Sequence, residues 1–107
     1  MPDRPTIVAG AAINERIIEE RHGTQAATRA AEIMANVRVA HEALRDADTP
    51  AEIGKRAKHF AIVMQNAARA ALHAPDADRM AIEQLAEMQD FPAIARMIRN
   101  PDLLDQE

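Results

Sequence analysis

The chain has no cysteine, no tryptophan, no tyrosine and no serine in its 107 residues. Without cysteine, disulfides and thiolate metal sites are excluded. Without serine or cysteine, the commonest hydroxyl and thiol nucleophiles are missing. No Gly-rich phosphate loop, nucleophile motif or pair of carboxylates with a histidine base is present. This subtraction points away from an enzyme, and the sequence offers no catalytic residue, cofactor site or metal site to assign. Aromatic residues are 2% of the chain, Phe60 and Phe91 alone, so a core must be built from small and aliphatic side chains.

Long apolar runs are missing too. The longest near the N-terminus, Ile7 to Ile13, is seven residues, well short of the roughly 20 that cross a bilayer. It follows Asp3-Arg4-Pro5 and lacks a basic lead and a cleavage site, so no signal peptide is expected. The expected location is the cytoplasm, with no membrane contact. The net charge of −4 disfavours electrostatic coating of nucleic acid.

What is abundant is alanine, the strongest helix former and a weak strand former. The fold expected is all-α: a small bundle of four to five helices in a single domain, residues 1–107. It is organised around a long antiparallel hairpin spanning residues 24–74. The second arm of the hairpin opens at Thr49-Pro50-Ala51-Glu52. Thr49 is placed to cap the backbone N–H of Glu52, with Glu52 reaching back to Thr49 in a capping box. Pro50 falls at the first helical position, where its missing N–H costs nothing. Along this arm Ile53, Ala57, Phe60, Met64, Ala67, Ala71 and Ala74 recur at alternating steps of four and three, the spacing of a seam that faces another helix. Pro75 ends it. The first arm, Thr24 to about Ala47 with Thr24 as cap, carries a matching seam of Ala26, Ala30, Ile33, Val37, Ala40, Leu44 and Ala47. Only Asp48-Thr49-Pro50 separates the arms, and so short a connection makes antiparallel neighbours. Ala40 then lies level with Phe60, and Ile33 with Ala67.

The flanks read as shorter elements. Residues 1–5 are an extended lead-in. A helix from about Thr6 to Arg21 turns Ala9, Ile13 and Ile17 inward and stops at His22-Gly23. Asp76 is a cap candidate for a helix over residues 77–89 with Met80, Ala81, Leu85 and Met88 inside. A last helix from Pro92 to Arg99 carries Ile94, Ala95 and Ile98. Residues 101–107 read as an acidic tail.

Four groups of residues invite a functional reading. His41 and His59 stand at nearly one height, but their offsets from the seams put the imidazoles on opposite sides of the hairpin, which is wrong for a shared metal. Arg38, His41, Arg45 and Lys58 form a basic strip on one side, suited to an anion or an acidic partner or else simply solvated. Residues 85–96 resemble a helix-turn-helix in their Leu-Ala pair and tight turn. They depart from it where Asp90 replaces the usual glycine and Pro92 starts the second helix; Arg96 and Arg99 are the only basic residues of that helix. The methionines Met34, Met64, Met80, Met88 and Met97 are core fillers or an adaptable surface.

The reading that remains is a non-catalytic protein–protein interaction or assembly protein acting through a helical face, such as a small regulatory, inhibitor or structural subunit. The alternative is a small helical DNA-binding regulator using the C-terminal helix pair. Ile62 points away from the hairpin seam, and Val39 with Val63 lines the side opposite His41. The short helices supply enough apolar surface for one side of the hairpin. Val39, Ile62 and Val63 therefore need another cover, expected to be a protein partner or a second copy in a homodimer or larger assembly.

Overall fold

The computed structural model describes the backbone of residues 6–105 and the side chains of residues 13–105. The lead-in over residues 1–5, the side chain of Ala9 and the last two residues of the acidic tail lie outside them. Five α-helices follow one another: α1 Thr6–His22, α2 Thr24–Arg45, α3 Pro50–Leu72, α4 Asp76–Met88 and α5 Pro92–Arg99. A short 3-10 helix over Pro101–Asp105 closes the described chain. The architecture is an all-α bundle.

α2 is the central element: α1, α3 and α4 all pack on it. α4 and α5 form a layer over one side of the α2–α3 hairpin, α5 resting on α3, and α1 lies against α2 and α4. The molecule measures 46 × 35 × 16 Å. The short dimension corresponds to two helix layers, since axes about 8–10 Å apart plus a Cα radius of about 2.3 Å on each side give roughly 13–15 Å.

The core follows from this layering. Ile18, Met34, Val37, Ile82, Leu85 and Ile94 are its largest fully buried side chains. Between them Ala30, Ala68, Ala71, Ala81 and Ala86 are closed off from solvent, so methyl groups fill the helix contacts. The hairpin register is fixed by His41 beside Phe60 and by Arg56 Nη1 donating to the Ala43 carbonyl at 2.7 Å.

Several expected inner faces shift. The α3 seam holds from Phe60 onward, but Ile53 and Ala57 are exposed. α4 has 13 residues and α5 has eight, too few to cover the far end of a hairpin whose arms have 22 and 23. From Arg45 to His59 every side chain is exposed except Ala47 and Arg56. Among the described side chains of α1, Ile18 is buried and Ile13 is 57% exposed; a stripe of pure four-residue steps drifts off a contact with period 3.6. In α4 Met80 faces out, and Asp78, Ala81, Ile82, Leu85 and Ala86 are buried. This helix touches α1, α2, α3 and α5, so its inner face is broader than a two-residue seam. Pro101–Asp105 is not a loose tail: Leu104 is buried, and its carbonyl accepts from Arg69 Nη2 at 3.3 Å.

The helix ends show which caps operate. Thr49 Oγ1 accepts from the Glu52 N–H at 3.2 Å, with Pro50 at the first helical position. The Glu52 carboxylate turns to Arg56 Nη2 at 2.9 Å, so half of the expected capping box is made. Thr24 and Asp76 are already inside their helices, preceded by Gly23 and Pro75. Thr24 instead donates its hydroxyl to Glu19 Oε2 at 2.9 Å. Asp76 pairs with Arg79 at 3.1 Å, in a first turn where a carboxylate complements the helix dipole. Gly23 alone joins α1 to α2, at φ 96°. That conformation is strained for any side chain and suits glycine.

The α4–α5 turn is built without glycine. Asp90 takes φ 75°, Phe91 N–H donates to the Ala86 carbonyl at 2.8 Å and Asp90 N–H to Glu87 at 3.2 Å. This pair of bonds is a Schellman motif with aspartate in the left-handed position. Asp90→Val should cost about 1–2 kcal/mol there, and Asp90→Gly should be neutral or mildly stabilising. Denaturant midpoints compare the two; equal losses from both would place the importance of Asp90 in its carboxylate. Thr49→Ala should cost about 1 kcal/mol with the fold kept, read from the same midpoints.

Candidate functional site: an open groove on the hairpin

The side of the hairpin opposite α4 and α5 carries a groove of about 530 Å³. α2 contributes Ile33, Asn36, Val39, Ala40 and Ala43 to one wall. α3 contributes His59, Val63, Asn66, Ala67 and Ala70 to the other. The α3 set runs at steps of four, three, one and three, immediately beside the Phe60–Met64–Ala67–Ala71 seam. Because small residues sit where the helices meet, the groove floor is low and its sides stand up as ridges. Val39 is 67% exposed on one ridge. No Asp, Glu, Lys or Arg is among the described residues lining it, in a chain where these types make up 28%. Two amides, Asn36 and Asn66, and the His59 imidazole are its polar groups.

Of the residues expected to form a contact face, Val39 and Val63 come together in this groove. Ile62 is 47% exposed and sits outside the lining, on the α3 shoulder. The members of the basic strip are placed differently from one another. Arg38 Nη1 donates to Gln89 Oε1 at 2.7 Å. His41 is engaged by Phe60 and Phe91, ring centroids 5.3 and 5.4 Å away. Arg45 and Lys58 are left exposed. His41 belongs to the covered side and His59 to the open one. Among the described residues no group of three His, Cys, Asp or Glu is placed to hold a metal.

The three-ring cluster of His41, Phe60 and Phe91 was not visible as such in the sequence. It ties α2 and α3 to the start of α5, with Phe60 and Phe91 edge to face at 6.0 Å. Asn36, His59 and Asn66 were also missed as groove residues. The signal was present: a second stripe beside each seam that lacks formal charge.

A second polar cleft, of about 310 Å³, lies between α2 and the start of α4. Arg29, Glu32 and the buried Asp78 line it with Gln25 and Thr28. Its charges are of both signs, and it holds no recognisable catalytic arrangement.

The C-terminal helix pair presents little to DNA. Ile94, Ala95 and Ile98 are buried. Arg99 donates to Glu83 and, through Nη2 at 3.0 Å, to Glu87. The Glu83 and Glu87 carboxylates, in that order, favour its charged form and raise its pKa above the ordinary arginine value, so the cation is already paired within the fold. Arg96 and Arg99 are both exposed, and one or two phosphate contacts give a shallow salt dependence and little affinity.

No protein-family model, no curated protein and no solved structure matches the chain. Among the described residues, no helix is long and apolar enough to cross a membrane.

A gel mobility shift with random duplex at low salt should show no retained complex at micromolar protein. A shift abolished by Arg96→Ala would restore the DNA reading.

Proposed function

We propose that this chain is a non-catalytic assembly protein that holds a protein partner on the open face of the α2–α3 hairpin. One observation carries the reading: a groove with an exposed valine ridge and no Asp, Glu, Lys or Arg among its described lining residues. Desolvating such a surface costs little, since burying a fixed charge without a partner is what makes association expensive. Apolar area on Val39, Val63 and Ile33 supplies the drive, at about 25 cal/mol per Å² removed from water. The alanines let a partner's backbone come close. A cysteine-free chain suits a reducing cytoplasm, the compartment in which this reading places it.

The contact is tested with a photo-crosslinking residue at position 39 or 63, expressed at native level in the source cells, with position 20 on α1 as control. Discrete protein adducts from 39 and 63, with none from 20, are the expected outcome. Absence of adducts from both groove positions sinks the reading.

A further inference from the structure

We infer that the occupant of the groove is a second copy of this chain, joined through a two-fold axis running along the hairpin so that α2 of each copy covers α3 of the other. The inference rests on the reading of the open face as a contact surface and names what fills it.

The charge of the groove favours a second copy. In a two-fold interface each patch meets a copy of itself or of its symmetry mate. A face with a cluster of one sign would repel itself. This groove has no Asp, Glu, Lys or Arg among its described lining residues, although they are 28% of the chain. It therefore meets a duplicate of itself without like-charge repulsion, whereas a charged partner helix would find no counter-charge there.

The levels of the groove residues along the hairpin favour the same pairing. In the antiparallel hairpin, with His41 beside Phe60, Val39 stands across from Val63, Asn36 from Asn66 and Ala43 from His59. An axis along the hairpin preserves these levels. It sets Val39 against the other copy's Val63, and Asn36 against its Asn66, where the amides donate and accept in pairs. It sets the bulk of His59 against the space over Ala43. A buried amide left without a partner loses its hydrogen bonds to water with nothing in return, so a packing that matches the amides is selected. Asparagines at single interior positions fix register in helix pairs by the same means.

The hairpin face is also large enough for such a contact. Arms of 22 and 23 residues are about 33–35 Å long, and two helices side by side are roughly 20 Å wide. The whole face, with the uncharged groove at its centre and the charged residues of the arms beyond it as a rim, is then roughly 600–700 Å² per copy, about 1,200–1,400 Å² in all, at the lower end of the range for stable interfaces. Each copy is two helix layers thick, so pairing makes the hairpins the interior of a four-layer body. α2 and α3 of both copies become its central four helices.

Light scattering during size exclusion at tens of micromolar should give twice the chain mass. Val39→Asp should give the monomer mass with unchanged helical circular dichroism, because Val39 is 67% exposed and outside the core. The chain has no cysteine, so single cysteines report position without background. An equal mixture of Val39→Cys and Val63→Cys chains should yield covalent dimers with a short bis-maleimide, well above either chain alone. A monomer mass for the unaltered chain overturns the inference, as does a Val39→Asp chain that stays dimeric. Crosslinks confined to like positions overturn the assigned axis. A monomer by light scattering with a larger, unlike adduct at position 39 in cells removes the second copy as occupant and leaves the contact-surface reading standing.

Discussion

Close contact between two alanine-rich helices is the constraint on which the rest of the structure depends. Where Ala30, Ala67, Ala68 and Ala71 meet the hairpin interface, little volume separates the backbones. Such a seam packs well but removes little apolar area, because each alanine contributes one methyl group. Two helices joined this way are not a stable unit by themselves. The bulk must come from elsewhere, and it comes from α4 and α5 through Ile82, Leu85, Ile94 and Ile98, with Ile18 of α1 and Leu104 of the last turn closing the edges.

That supply is one-sided. The aliphatic side chains of α4 and α5 cover the side of the hairpin that carries His41 and Arg38, where polar groups are used to fasten layers together. Gln89 receives Arg38, Gln84 receives Arg21 at 3.2 Å and lies 3.1 Å from His22 Nε2, and the Leu104 carbonyl receives Arg69. Of the basic strip, Arg38 is one of these fasteners and His41 is held between two phenylalanines, while Arg45 and Lys58 stay exposed. On the opposite side, the described residues that line the groove carry no formal charge.

The hairpin was legible because its signals are local and agree: a threonine cap, a proline at the first helical position, a short connection and two seams in step. α5 was equally plain, with Ile94, Ala95 and Ile98 buried as spaced. Legibility failed where the number of neighbours decides the outcome. Met80 and Ile82 are both apolar residues of one helix, and only the placement of α1, α2 and α5 around it makes Ile82 buried and Met80 exposed. Ile53 fits the seam by spacing but lies where no third helix reaches. The groove was half legible: Val39 and Val63 stood out as apolar residues off the seam, whereas Asn36 and Asn66 gave no hydrophobic signal. Their importance lies in what is absent around them, a property of a surface and not of a residue.

The overhanging end of the hairpin gives the molecule two scales of motion. Between Arg45 and His59 the two arms have only each other, and nearly every side chain there meets solvent. Opening this end exposes little additional apolar surface and leaves Leu85, Ile94 and the other buried aliphatics in place. Amide protons in the tip therefore exchange through a small, local excursion, with a weak dependence on denaturant. Those around Ala68 and Leu85 exchange when the whole domain opens. The hairpin is thus one continuous structural element spanning regions of unequal stability, anchored at the end where its chain termini emerge and yielding at the end where it turns.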